Sequence, residues 1–190
     1  MTDIQMRGYV LSSAAEYLKT SAGEKKAGDI LAALSPGLRQ ALASATSASW
    51  CTSVHIAEMY RAVASLSDGD EARAKEILIA CGKVAAHEAS NTFLRLLMKV
   101  LTPALFAKKL PDIWARDCTG AKITVEVREE KIENRLFDVQ GFDHVAPVAA
   151  GYVIFALEAM GKSIIKTDLH EWSLNTPGPS SPWFEISWRT

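Results

Sequence analysis

Cysteine is scarce in this 190-residue chain: Cys51, Cys81 and Cys118 are an odd number at wide spacing. They offer no disulfide framework, and no secretory signal opens the sequence, so reduced thiols and a cytoplasmic location are expected. Charge of one sign is lacking too, because 21 Lys and Arg stand against 22 Asp and Glu, a formal net charge of −1. No strong field draws in phosphate backbones, and nucleic acid is not an expected partner. The most apolar run, Phe93 to Leu110, carries Arg95, Lys99, Lys108 and Lys109 and is broken by Pro103. A bilayer asks for about 20 mainly apolar residues, so the run reads as a buried helix pair and no membrane span is expected.

Catalytic and metal motifs are missing as well. Neither GxSxG nor the phosphate-binding GxxxxGK[ST] occurs. His87-Glu88 resembles the start of a zinc-protease helix, but Asn91 stands where the second histidine belongs. Cys51 and His55, four apart, offer a metal half-site or an activated thiol, yet zinc takes three or four ligands and nothing nearby completes the set. Asp143-His144 and His170-Glu171 pair a carboxylate with an imidazole only as chain neighbours, which point apart on a strand. No catalytic residue, metal or cofactor is assigned on this basis, and the chain is not expected to be an enzyme.

What is present is an ordinary globular composition, 48% hydrophobic and 23% charged. At this length roughly 70% of the unfolded chain's surface can be buried in one domain. Residues 1–190 are expected to form that single domain, helical over about 1–117 and sheet-forming over about 121–190. Leu11, Ala14, Ala15 and Leu18 repeat at helical spacing before Gly23, and a second helix covers 24–34. Ser35-Pro36 caps and starts a third, expected to reach Thr46. Ser53 caps a fourth with the stripe Ile56, Met59, Tyr60, Val63 and Leu66, ending at Ser67-Asp68-Gly69. A long helix starts near Asp70, a central apolar helix covers 93–101, and another runs from Pro103 to about Arg116.

The period then changes. Ile123, Val125 and Val127 alternate with charged or polar residues, which makes a half-buried strand, and 132–139 returns beside it. A nearly all-apolar helix follows Pro147 and stops at Gly161. A strand over 163–174, the loop Asn175 to Pro182, expected to be mobile, and a strand with Phe184, Ile186 and Trp188 on one face complete the chain. The fold class is therefore α+β, an N-terminal helical bundle packed on a C-terminal antiparallel sheet in the order ββαββ. Five tryptophans, at 50, 114, 172, 183 and 188, and the small-residue strip Ala80, Cys81, Gly82, Ala85, Ala86 and Ala89 either complete a core or line a pocket.

Several landmarks carry a family resemblance: Gly8-Tyr9, Trp50, ACGKVAAHEA, LPDIWARDCTGAKITVEV, GYVIFALEAMGKS and the terminal FEISW. Together they resemble the superfamily that joins haem nitric-oxide-binding domains, vinyl-reductase-type small-ligand domains and Bet-type subunits of the TRAPP vesicle-tethering complex. The resemblance implies helices on a twisted antiparallel sheet, often with an apolar cavity between them and often as a dimer. It implies a sensory or adaptor domain that binds a small hydrophobic ligand or a partner protein. The chain departs from the haem branch, with no Tyr-x-Ser-x-Arg match and no clear proximal histidine, and lacks the terminal cysteine pair of many vinyl-reductase-type domains. Haem and metal are therefore not expected.

The expected function is a non-catalytic sensory or adaptor domain, as a homodimer or with a protein partner. Its candidate pocket lining is Trp50, Cys81, Gly82, Ala85, Trp114 and Phe155. A structural interaction module with a filled core and a cysteine-dependent enzyme built on Cys51 and His55 are the alternatives.

Overall fold

The computed structural model describes residues 4–90, 98–142, 144–175 and 181–189. Seven α-helices and two antiparallel sheets are present among them. Helix α1 (Tyr9–Ala22) buries Val10, Leu11, Ala14, Ala15 and Leu18 and stops at Gly23. Helices α2 (Glu24–Ala32) and α3 (Pro36–Ala43) follow, and the Ser35 side chain accepts a hydrogen bond from the Leu38 amide at the start of α3. That cap satisfies one of the amide donors that the first turn of a helix leaves unpaired. Helix α4 (Ser53–Ala64) turns its stripe of Ile56, Met59, Tyr60 and Val63 fully inward. Helix α5 (Glu71–Ala89) is capped by Asp70, whose side chain accepts from the Arg73 amide. Helix α6 (Pro103–Asp117) is capped in the same way by Thr102.

Helix α7 (Val145–Ala159) buries almost every position on one side or the other. It packs against α5 on one flank and against the larger sheet on another. That sheet has strands β4 (Lys122–Arg128), β5 (Lys131–Phe137), β6 (Ser163–His170) and β7 (Trp183–Arg189) in the order β4-β5-β7-β6. Val125 pairs with Asn134, and Asn134 with Phe184, which fixes one inner face for the whole sheet. Ile123, Ile132, Leu136, Phe184, Ile186 and Trp188 line that face and are buried. The order strand, strand, helix, strand, strand is as the alternation predicts, and Gly161 takes the left-handed φ of 79° that ends α7.

Several expectations need correction. A second sheet, β1 (Gln5–Arg7), β2 (Trp50–Thr52) and β3 (Cys118–Thr119) in the order β2-β1-β3, interrupts the region read as purely helical. Strands of two or three residues are too short to carry a period. Helix α3 ends at Ala43 rather than Thr46, and Leu66 sits in a 3-10 turn beyond α4. Thr52, not Ser53, is the cap position of α4. Strand β6 stops at His170, because Glu171 adopts a positive φ of 58°. The expected helix over 93–101 and the expected loop over 175–182 fall largely outside the described residues. Among the described residues, no helix is long and apolar enough to cross a membrane.

Candidate functional site

A cavity of about 60 Å³ lies where α6, α7 and β4 meet α1, α4 and β1. Its walls are apolar: Met6 from β1, Leu110 and Ile113 from α6, Ile123 from β4, and Val148, Ala149 and Val153 from α7. The helical spacing of Val145, Val148, Ala149, Tyr152 and Val153 sets one continuous face of α7 against it. Trp114 closes part of the wall, and its indole nitrogen donates to the Ala121 carbonyl at 3.1 Å.

The polar groups at this cavity are three tyrosines, one carboxylate and one thiol. Tyr152 donates its hydroxyl hydrogen to the Tyr9 oxygen at 3.1 Å, and Tyr9 donates in turn to Asp117 at 3.3 Å. Arg116 holds the same carboxylate through two contacts of 2.9 and 2.6 Å. Tyr60 from α4 is 1% exposed, its ring stacked on Phe142 with centroids 6.1 Å apart. Burial pushes Tyr9 up to about 12, with the Asp117 charge adding to it, and pushes Tyr60 and Tyr152 well above the ordinary phenol value. The Cys118 thiol is likewise raised to about 12, first by burial. Near neutral pH all four groups therefore stay protonated and uncharged, because a low-dielectric site penalises the anion.

Tyr9 and Asp117 also line a surface groove of about 420 Å³ with Arg7, Ser47, Ala48, Glu88, Ala89 and Arg116. Their mutual hydrogen bond stands between the groove and the apolar space.

Of the six residues singled out from the sequence, Trp114 lines this cavity and the other five lie elsewhere. Trp50 is 39% exposed on β2, with the Arg7 guanidinium 4.1 Å above its ring. Cys81, Gly82 and Ala85 are buried in α5, where Gly82 meets the Val148 backbone of α7. Phe155 is half-buried and takes the edge of His87 at 5.9 Å. The small-residue strip thus makes a tight helix crossing rather than a pocket floor. Sequence reasoning missed Tyr9, Tyr60, Asp117 and Tyr152 as a group. Their only signal is a polar tip on otherwise apolar helix faces, which is visible once the faces are known to converge.

Cys51 is buried, and burial raises its thiol, so nothing there activates a nucleophile. His55 packs over Gly37 of α3, His144 accepts from the Trp172 indole at 3.3 Å, and His170 stacks on Trp183 at 3.5 Å. None of the four histidines lines the cavity. Among the described residues no cluster of three or more metal-binding side chains occurs.

No protein-family model matches this chain, and no curated protein does. Among solved structures, however, H-NOX proteins superpose on nearly the whole chain. An H-NOX protein from K. algicida in the unliganded Fe(II) state superposes with a TM-score of 0.71 at 11% identity, covering 97% of each chain. One from S. oneidensis in the Fe(II)NO state gives 0.67 at 12%, covering 97% of this chain and 100% of that one. A mutant of the T. tengcongensis protein gives 0.60 at 10%, covering 97% and 98%. At these identities the likeness establishes the fold.

Proposed function

We propose that residues 1–190 form one non-catalytic sensory domain that holds a very small apolar molecule in the cavity between α6, α7 and β4. The observation that carries this reading is the apolar space itself, lying along the seam of helices and sheet in a fold whose solved examples include an Fe(II)NO-ligated protein. Burial raises the Cys51 thiol rather than lowering it, which weighs against the cysteine-dependent alternative.

A haem, implied by those relatives, does not fit the residues present. About 60 Å³ is a small fraction of the roughly 300 to 1,000 Å³ of pockets that enclose drug-sized ligands. No histidine lines the space, and its phenols and thiol are held in their neutral forms, which are poor iron ligands. The ligand must be smaller than benzene, which an engineered core encloses in roughly 150 Å³. The small volume also supports the second reading, an interaction module with a nearly filled core.

Xenon separates the two. In methyl NMR, saturable shifts confined to Leu110, Ile123, Val148 and Val153 are expected under xenon pressure; shifts that are absent or spread over the surface would remove the sensory reading. Light scattering on the same sample reads the homodimer expected from the sequence, and an absorption spectrum without a visible band is expected even after expression with excess haem.

A further inference from the structure

The cavity is thin on one side only. Of its lining residues, Tyr9, Ile113, Trp114, Asp117 and Tyr152 are half-buried and the others are buried, so solvent lies closest where α1, α6 and α7 meet. A chain of hydrogen bonds fastens that side, since Tyr152 of α7 donates to Tyr9 of α1 and Tyr9 donates to Asp117 of α6. Tyr9 and Asp117 line the outer groove as well as the cavity, and the rim beside them, Ser47, Ala48, Glu88 and Arg116, is exposed. A path from solvent through the groove into the apolar space therefore crosses the contact between these two residues.

That contact is the longest link of the chain. At 3.3 Å it exceeds the 3.1 Å between the two phenols and is long for a hydroxyl donor, while Arg116 takes the same carboxylate at 2.9 and 2.6 Å. Tyr9 is the first residue of α1 and Asp117 the last of α6, and helix ends open at lower cost than helix middles. Tyr152 stands inside α7 beside Gly151, whose backbone is pressed against α5, so that end of the chain is fixed. We propose that Tyr9 is the gate of the cavity: a small apolar ligand enters from the groove when the Tyr9 hydroxyl releases Asp117, and Arg116 sets how firmly the gate is shut by competing for the carboxylate. This rests on the cavity being a ligand site, as proposed above, and adds the route and its control.

Xenon exchange NMR on the full chain separates the entry rate from the exit rate. Tyr9→Phe keeps the ring and deletes the hydroxyl, and both rates should rise about tenfold, the rate equivalent of one lost hydrogen bond. Arg116 is exposed and lies outside the cavity wall. Arg116→Gln should slow both rates about threefold, because the Asp117 charge is then left to the Tyr9 hydroxyl. A general loosening of the fold would speed both variants instead, and wild-type chain brought with urea to the stability of Tyr9→Phe controls for it: its exchange should stay slow. Faster exit without faster entry in Tyr9→Phe, faster exchange in Arg116→Gln, or wild type in urea exchanging as fast as Tyr9→Phe would each overturn the gate while leaving the sensory reading intact. Xenon that fails to bind the wild-type chain removes both.

Discussion

Helix α7 has two working faces, and they are built by opposite rules. Toward α5 the backbones touch: a methyl group at Gly151 would collide with the Ile79 carbonyl oxygen, and one at Gly82 with the carbonyl of Val148. Toward α6 and β4 the same helix offers Val148, Ala149, Tyr152 and Val153 to a space that the opposing side chains do not fill. Glycine lets two helices close completely, since nothing projects between them. Tyr9 and Tyr152 hold a seam open, because each hydroxyl is tied to a partner and the ring then cannot retreat into the core. The rigid spine and the yielding cavity are thus opposite sides of a single helix, and a ligand in the cavity would press against an element that cannot move toward α5.

The comparison breaks most visibly at Gly151. Replacing it with alanine should cost about 3 kcal/mol, at the upper end for overpacking, because the obstructing atoms are backbone on both sides. Urea denaturation measures it, and an unchanged midpoint would mean the two helices slide apart freely.

Alkaline pH tests the opposite face. Tyr9 is raised from 10.0 to about 12, and Cys118 from 9.0 to about 12, so the folded state keeps protons that the unfolded chain gives up. Their contribution is complete below pH 9 and is lost as pH climbs toward 12, by about 2 kcal/mol or more for Tyr9 alone. Buried Cys81, also raised to about 12, adds to the same loss from the spine side. Cys81→Ala should therefore flatten the fall of the urea midpoint less than Tyr9→Phe with Cys118→Ala does. The reverse ranking would make the spine, not the cavity, the alkali-sensitive region.

The smallest effect is expected from Ala149→Val, which extends two methyl groups into the cavity. A gain of up to about 1 kcal/mol in stability should accompany loss of xenon binding. Destabilisation instead would show that the space is smaller than its walls suggest.

Much of this was readable in the chain. The alternation from Lys122 to Arg128, the cap at Ser35 and the turn at Gly161 are each governed by neighbours within a few residues, and the structure has them where the pattern put them. Strand β5 alternates less cleanly because Asn134, a polar residue, occupies an inward position with both amide atoms unpaired. The three short strands were invisible, since Met6, Cys51 and Cys118 pair across more than forty positions of chain without any period of their own. Tryptophans drew attention as pocket candidates by their size, yet Trp50 and Trp183 lie under arginine guanidinium groups, and Trp188 fills the core.

By itself the sequence determined which segments coil, which extend and which side of each is apolar, because those properties follow from spacing along one element. Only the tertiary structure decided that Gly82 and Gly151 meet backbone to backbone and that Tyr9, Tyr60 and Tyr152 converge on one space. That convergence draws on three helices far apart in the chain, and no local period encodes the distance between faces that folding brings together.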